Sequence, residues 1–203
     1  MKRSKLWLIA GIFFLLSVTF EAYRSLVLQI DAWQQFNRPF SDFLSTQLAL
    51  TISVIVVVTL PYILLAWFCF SNYQNRQMNT LLLVACILQI LNDIYGMIVA
   101  YRFITFLTIL ELLFHILLIL LAYRPNKPLA WIGIAIALFL FVTTLNAVIS
   151  QLAMYPESSN EVHDILLHLT LVRLPLFSFN DLLLWCSLAL PLLRNTEEEA
   201  PAE

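Results

Sequence analysis

Between residues 47 and 70 the chain runs for 24 positions without one Asp, Glu, Lys or Arg. A bilayer core about 30 Å thick needs roughly 20 apolar residues at 1.5 Å rise each, so this run can cross as a single helix. Hydrocarbon offers no partner to backbone N–H and C=O groups, which is why a lone crossing segment must be helical. The same ruler finds spans at about 6–22, 80–100, 103–122 and 129–153, and a last one ending near Leu193. The expected fold is all-α, a polytopic transmembrane helical bundle of about six spans.

Composition narrows the function classes. Hydrophobic residues make up 61% and charged residues 12% of the chain, and the mean hydropathy is +0.86. Soluble domains usually carry about 45–50% apolar and about 25% charged residues, so a water-soluble globule and a disordered chain are both excluded. A net charge of −2 excludes a nucleic-acid binder that rests on a basic surface. Cys69, Cys86 and Cys186 all sit inside apolar runs without C-x-x-C spacing, so they read as small packing residues rather than a disulfide frame or zinc site.

The breaks between spans carry turn chemistry. Residues 72–79 are mostly polar, and Arg124-Pro125-Asn126-Lys127-Pro128 holds two prolines that lack an N–H and restrain their predecessors. Pro156, Glu157 and two serines occupy 154–160, and only Tyr101 and Arg102 separate the third span from the fourth. No repeat or long linker divides the chain. Residues 1–195 are read as a single transmembrane domain, and 196–203 as a disordered acidic tail.

Basic residues in short loops set the orientation. With the N-terminus inside, Lys2, Arg3, Lys5, Arg76, Arg124, Lys127 and Arg194 lie on the cytoplasmic side. Arg24, Arg38 and Arg102 lie opposite, with Arg173 near that boundary. This predicts a multi-pass protein of a cytoplasmic membrane of bacterial type, both termini cytoplasmic. Lys2, Arg3 and Lys5 before a short apolar run also resemble a signal peptide, but Phe20-Glu21-Ala22 is not a small-x-small cleavage site, which favours an uncleaved anchor. Residues 22–36 and 161–172 carry apolar positions at helical spacing and are expected to be amphipathic interfacial helices on the outer side, or extensions of spans one and six. Pro175 is expected to open the last span.

Polar groups inside the spans carry the functional signal, because a charge at the bilayer centre costs about 2.5–3.5 kcal/mol on insertion scales and so faces protein or water. Gln89, Asn92 and Asp93 share a stripe with Ala85, Gly96 and Ala100; Glu111 and His115 are i,i+4 neighbours. Asn146 and Asp181 fall at a similar count from the outer ends of their spans, roughly 9–12 Å down at 1.5 Å per residue. The candidate pocket therefore comprises Asn92, Asp93, Glu111, His115, Asn146, Asp181 and Arg173. Three acids at one depth cannot all ionise without nearby cations, so at least one is expected to have a raised pKa or a basic partner, with His115, Arg102 and Arg173 as the candidates. The plainer alternative is that small stripes such as Gly133 with Ala137, and Asn, Ser and Thr, simply pack and hydrogen-bond helices together.

Glu-x-x-x-His alone is a weak metal signal, and there is no H-E-x-x-H. Only His115 lies well inside a span, so a pair of axial haem ligands is missing. The three glycines, Gly11, Gly96 and Gly133, all lie within spans, so no phosphate-cradling loop exists. No metal and no cofactor is expected. Two readings result. The first is a non-enzymatic accessory, assembly or interaction subunit whose partners are the lipid bilayer and another membrane protein, with no nucleic acid; Trp33, Phe36 and Phe40 on an outer loop would offer a contact surface. The alternative is a small transporter or membrane-embedded enzyme using the acidic/His pocket.

Overall fold

The structure, a computed structural model, describes residues 5–35, 41, 47–74, 79–99, 106–154 and 161–194. At some helical positions, Arg173 among them, the side chain lies outside the described set. The acidic tail, Arg102, Phe36 and Phe40 also lie outside it.

Among the described residues six helices follow one another: α1 (Lys5–Gln35), α2 (Leu48–Tyr73), α3 (Asn79–Val99), α4 (Phe106–Tyr123), α5 (Lys127–Met154) and α6 (Glu161–Arg194). The prolines of the fourth break act as their chemistry requires. Pro125 disfavours helical backbone at Arg124, and α4 closes with the Arg124 N–H donating to the Leu120 carbonyl at 2.8 Å. The Asn126 carbonyl then accepts from the Ala130 N–H at 3.0 Å, and Pro128 falls in the first turn of α5, where a missing N–H costs nothing.

Among the described residues, four helices are long and apolar enough to cross a membrane, at Lys5–Trp33, Leu48–Tyr73, Lys127–Ser150 and Leu174–Leu193. The bundle is therefore that of a membrane protein. The regions expected to form spans three and four yield two shorter apolar stretches, Asn79–Tyr95 and Ile109–Tyr123. Among the described residues, no separate interfacial helix is formed by 22–35 or 161–172. Residues 22–35 continue α1, and 161–172 continue into α6, so the amphipathic stretches are extensions of membrane helices. Pro175 lies inside α6 rather than at its start, and Pro61 lies inside α2.

Neighbours in sequence are neighbours in space. α1 packs on α2, α2 on α3, α3 on α4, α4 on α5, α5 on α6, and α6 returns to α1, with a further contact from α6 to α4. Residue pairs fix antiparallel registers. The Asn79 side chain at the start of α3 donates to the Ala122 carbonyl at the end of α4 (3.2 Å). Between α5 and α6, Trp185 donates its indole N–H to the Ala130 carbonyl near the start of α5 (2.9 Å). The outward surface is apolar, with Val57 65% and Trp131 62% exposed, as expected of a face that meets lipid. Inside, Phe14, Leu65, Leu118, Leu184 and Trp185 are almost wholly buried.

Small residues bring the helices close. A Cβ on Gly133 would overlap the indole of Trp185, and one on Gly11 would stand 2.7 Å from the ring of Phe70. Trp7 packs edge-on against Phe68, and Phe114 lies against Trp185 with centroids 5.5 Å apart. In a membrane, where lipid tails are as apolar as leucine, such close packing is what holds helices together.

Candidate functional site: an acidic cavity between five helices

A cavity of about 190 Å³ lies among α2 to α6. Each helix contributes side chains to its wall: Tyr62 and Leu65 from α2, Gln89 and Asp93 from α3, Glu111 and His115 from α4, Leu140 and Thr144 from α5, and Leu174, Phe177, Ser178 and Asp181 from α6. Asp93 lies six residues before the end of α3 and Glu111 five after the start of α4, about 7–9 Å along each helix. The cavity thus lies toward the end of the bundle where α3 meets α4.

Periodicity explains which side chains arrive. Gln89 and Asp93 are i,i+4 on α3, as are Glu111 and His115 on α4, so each pair presents to one side of its helix. The Gln89 side-chain amide donates to an Asp93 carboxylate oxygen at 3.2 Å. His115 is buried, and its Nδ1 lies 2.8 Å from the Glu111 backbone carbonyl, which can only accept. Nδ1 therefore carries a proton, which leaves Nε2 as the nitrogen that can accept in the neutral ring. Ser178 turns its hydroxyl back to the Leu174 carbonyl (2.9 Å), three residues after Pro175. Glu111 lines the cavity and is exposed.

The structure brings Asp93, Glu111, His115 and Asp181 to one wall and leaves Asn92 and Asn146 off it. Asn92 turns to a groove of about 420 Å³ between α2 and α3, with Ser53 and Tyr95. Asn146 is exposed on α5, where Thr144 meets the cavity instead. The side chain of Arg173 is outside the described set. No lysine or arginine is among the described residues of the wall. Nor do the described residues place three or more His, Cys, Asp or Glu side chains where they could hold a metal ion.

A second polar feature escaped the sequence reading. Ser17, Glu21 and Ser25 of α1 are all buried, and Asn180 of α6, with no exposure at all, donates to the Ser17 hydroxyl and to the Phe13 carbonyl (3.5 Å). Glu21 meets Arg24 at 3.6 Å. The spacing 17, 21, 25 is the helical signal that would have found this seam. A third recess of about 550 Å³ lies at the opposite end of the bundle, between Trp7, Asn72, Asn79 and Pro191.

No family model, no curated protein and no solved structure matches the chain.

Proposed function

We propose that the chain is a multi-pass protein of a bacterial-type cytoplasmic membrane, with both termini cytoplasmic, that binds a small cation in the acidic cavity and works as a small transporter. The observation that supports this reading is the wall itself: carboxylates from α3, α4 and α6 and an imidazole from α4 surround one space. Acids inside a membrane bundle are costly unless they meet a cation, a proton or water, which makes a cation path the natural use of such a wall.

Flux across proteoliposomes tests it. Wild-type protein should move a monovalent cation or protons faster than empty vesicles do. Asp93→Asn, Glu111→Gln and Asp181→Asn should bring flux to the empty-vesicle level while eluting as folded protein. Wild-type flux in all three variants would refute the reading.

The accessory-subunit reading keeps one observation in its favour. Asn146 is an exposed amide on a membrane helix, and Asn92 lines an open groove; both could hydrogen-bond a neighbouring helix. Native mass spectrometry from gentle detergent distinguishes the two, since a co-purifying membrane protein lost in Asn146→Leu would favour the subunit.

A further inference from the structure

We infer that the occupant of the acidic cavity is a small organic cation bearing N–H groups, a primary alkylammonium or short diammonium ion. The inference rests on the cation-site reading above and adds the chemical class of the ligand.

Three features beyond the acids carry it. The first is Gln89. Its side chain is 9% exposed, it lines the cavity, and its Oε1 has no hydrogen-bond partner among the described residues. A buried amide oxygen left without a donor costs about 1–3 kcal/mol, so such an atom asks for a ligand that donates. The second is size. A water takes about 30 Å³ of liquid volume, so about 190 Å³ is room for several waters and far more than a bare inorganic ion fills. It is also below the 300–1,000 Å³ range of drug-sized pockets, which limits the ligand to a few heavy atoms. The third is the aromatic wall. The Tyr62 and Phe177 rings meet at 4.6 Å between centroids, and both line the cavity with Leu65, Leu140 and Leu174. Aromatic faces attract ammonium groups, and the apolar wall suits an alkyl chain.

The chemistry is complementary throughout. An ammonium head brings up to three donors to carboxylates, the Gln89 carbonyl and the His115 Nε2. Its short alkyl tail lies on the leucines and rings. A diammonium ion meets a second carboxyl group with its other head.

The test is ligand-dependent thermal unfolding of the purified full-length protein in detergent, backed by calorimetric titration. The probes are ethylammonium, 1,4-diaminobutane, tetramethylammonium, sodium and neutral n-butanol, at matched ionic strength. Ethylammonium or diaminobutane should raise Tm saturably, tetramethylammonium, which has no N–H, should bind at least tenfold more weakly, and n-butanol should give no shift. Gln89→Leu and Tyr62→Leu should each weaken the apparent Kd about tenfold, and Asp181→Asn more. If Asp181→Asn does not fold, Gln89→Leu together with Ser178→Ala decides the same question. Stabilisation by sodium equal to that by the ammonium ions, unaffected by Gln89→Leu, would overturn the organic ligand and leave the cation site standing. No response to any cation, together with wild-type flux in the acid variants, would remove both.

Discussion

Gly133→Ala is the substitution whose cost the structure defines most closely. The new methyl would be built into the indole of Trp185, which has no exposure and donates to the Ala130 carbonyl one turn earlier on α5. The ring cannot swing away freely, because Phe114 lies against it from α4 with centroids 5.5 Å apart. Inserting a methylene into a packed core costs about 1–3 kcal/mol. If the indole also loses the Ala130 carbonyl, the stranded N–H adds about 1–3 kcal/mol. Equilibrium unfolding in mixed micelles should therefore show a loss of about 1–3 kcal/mol if the indole bond survives and about 2–6 kcal/mol if it breaks, with a shift in tryptophan emission. Trp185→Phe relieves the overlap, so the double variant should be more stable than the sum of the single losses predicts, by about 0.5–3 kcal/mol. Strict additivity, or Gly133→Ala unfolding like wild type, would refute the assigned α5–α6 register.

Other consequences can be checked separately. Asn180→Ala removes the α1–α6 seam at Ser17 and should cost about 1–2 kcal/mol in the same unfolding assay; a wild-type midpoint would show that the seam carries no stability. Maleimide should label Cys186, which is half-buried, before Cys69 and Cys86, which are buried, and all three should label equally once the protein is denatured. Asn126→Cys, on the exposed α4–α5 turn, should react with an impermeant maleimide from the same side of the membrane as both termini; labelling from opposite sides would overturn the proposed orientation. Asn79→Ala breaks the amide contact to the Ala122 carbonyl and should lower stability by about 0.6 kcal/mol, read as a small drop in the unfolding midpoint.

Helix type was legible because apolar length is a one-dimensional property, and the Pro125–Pro128 break lay in plain view, although four rather than six described helices are long and apolar enough to cross. Position along each helix was also legible, and Asp93, Glu111 and Asp181 do line one cavity. Rotation about each helix axis was not. At 3.6 residues per turn, Thr144 and Asn146 point about 200° apart, so two residues at nearly one depth serve opposite faces. The same arithmetic separates Asp93 from Asn92 by about 100°. The close face of Gly133 and Ala137 could be anticipated from small residues, but its partner Trp185 could not, because that pairing depends on how α6 folds back. The buried seam on α1 was hidden by Glu21 and Arg24, which look like interfacial polar residues when read by composition alone.

Pro175 gives α6 two unequal parts. A proline has no N–H, so the carbonyl of Leu171 loses its rung in the helical ladder, and the ring crowds the turn before it. Toward the C-terminal side of this missing rung the helix is clamped by Asn180 to α1 and by Trp185 to α5. Leu174 and Phe177 flank the proline and form part of the chamber wall. A small change of angle at this joint would therefore reshape the chamber while the clamped rod stayed in place.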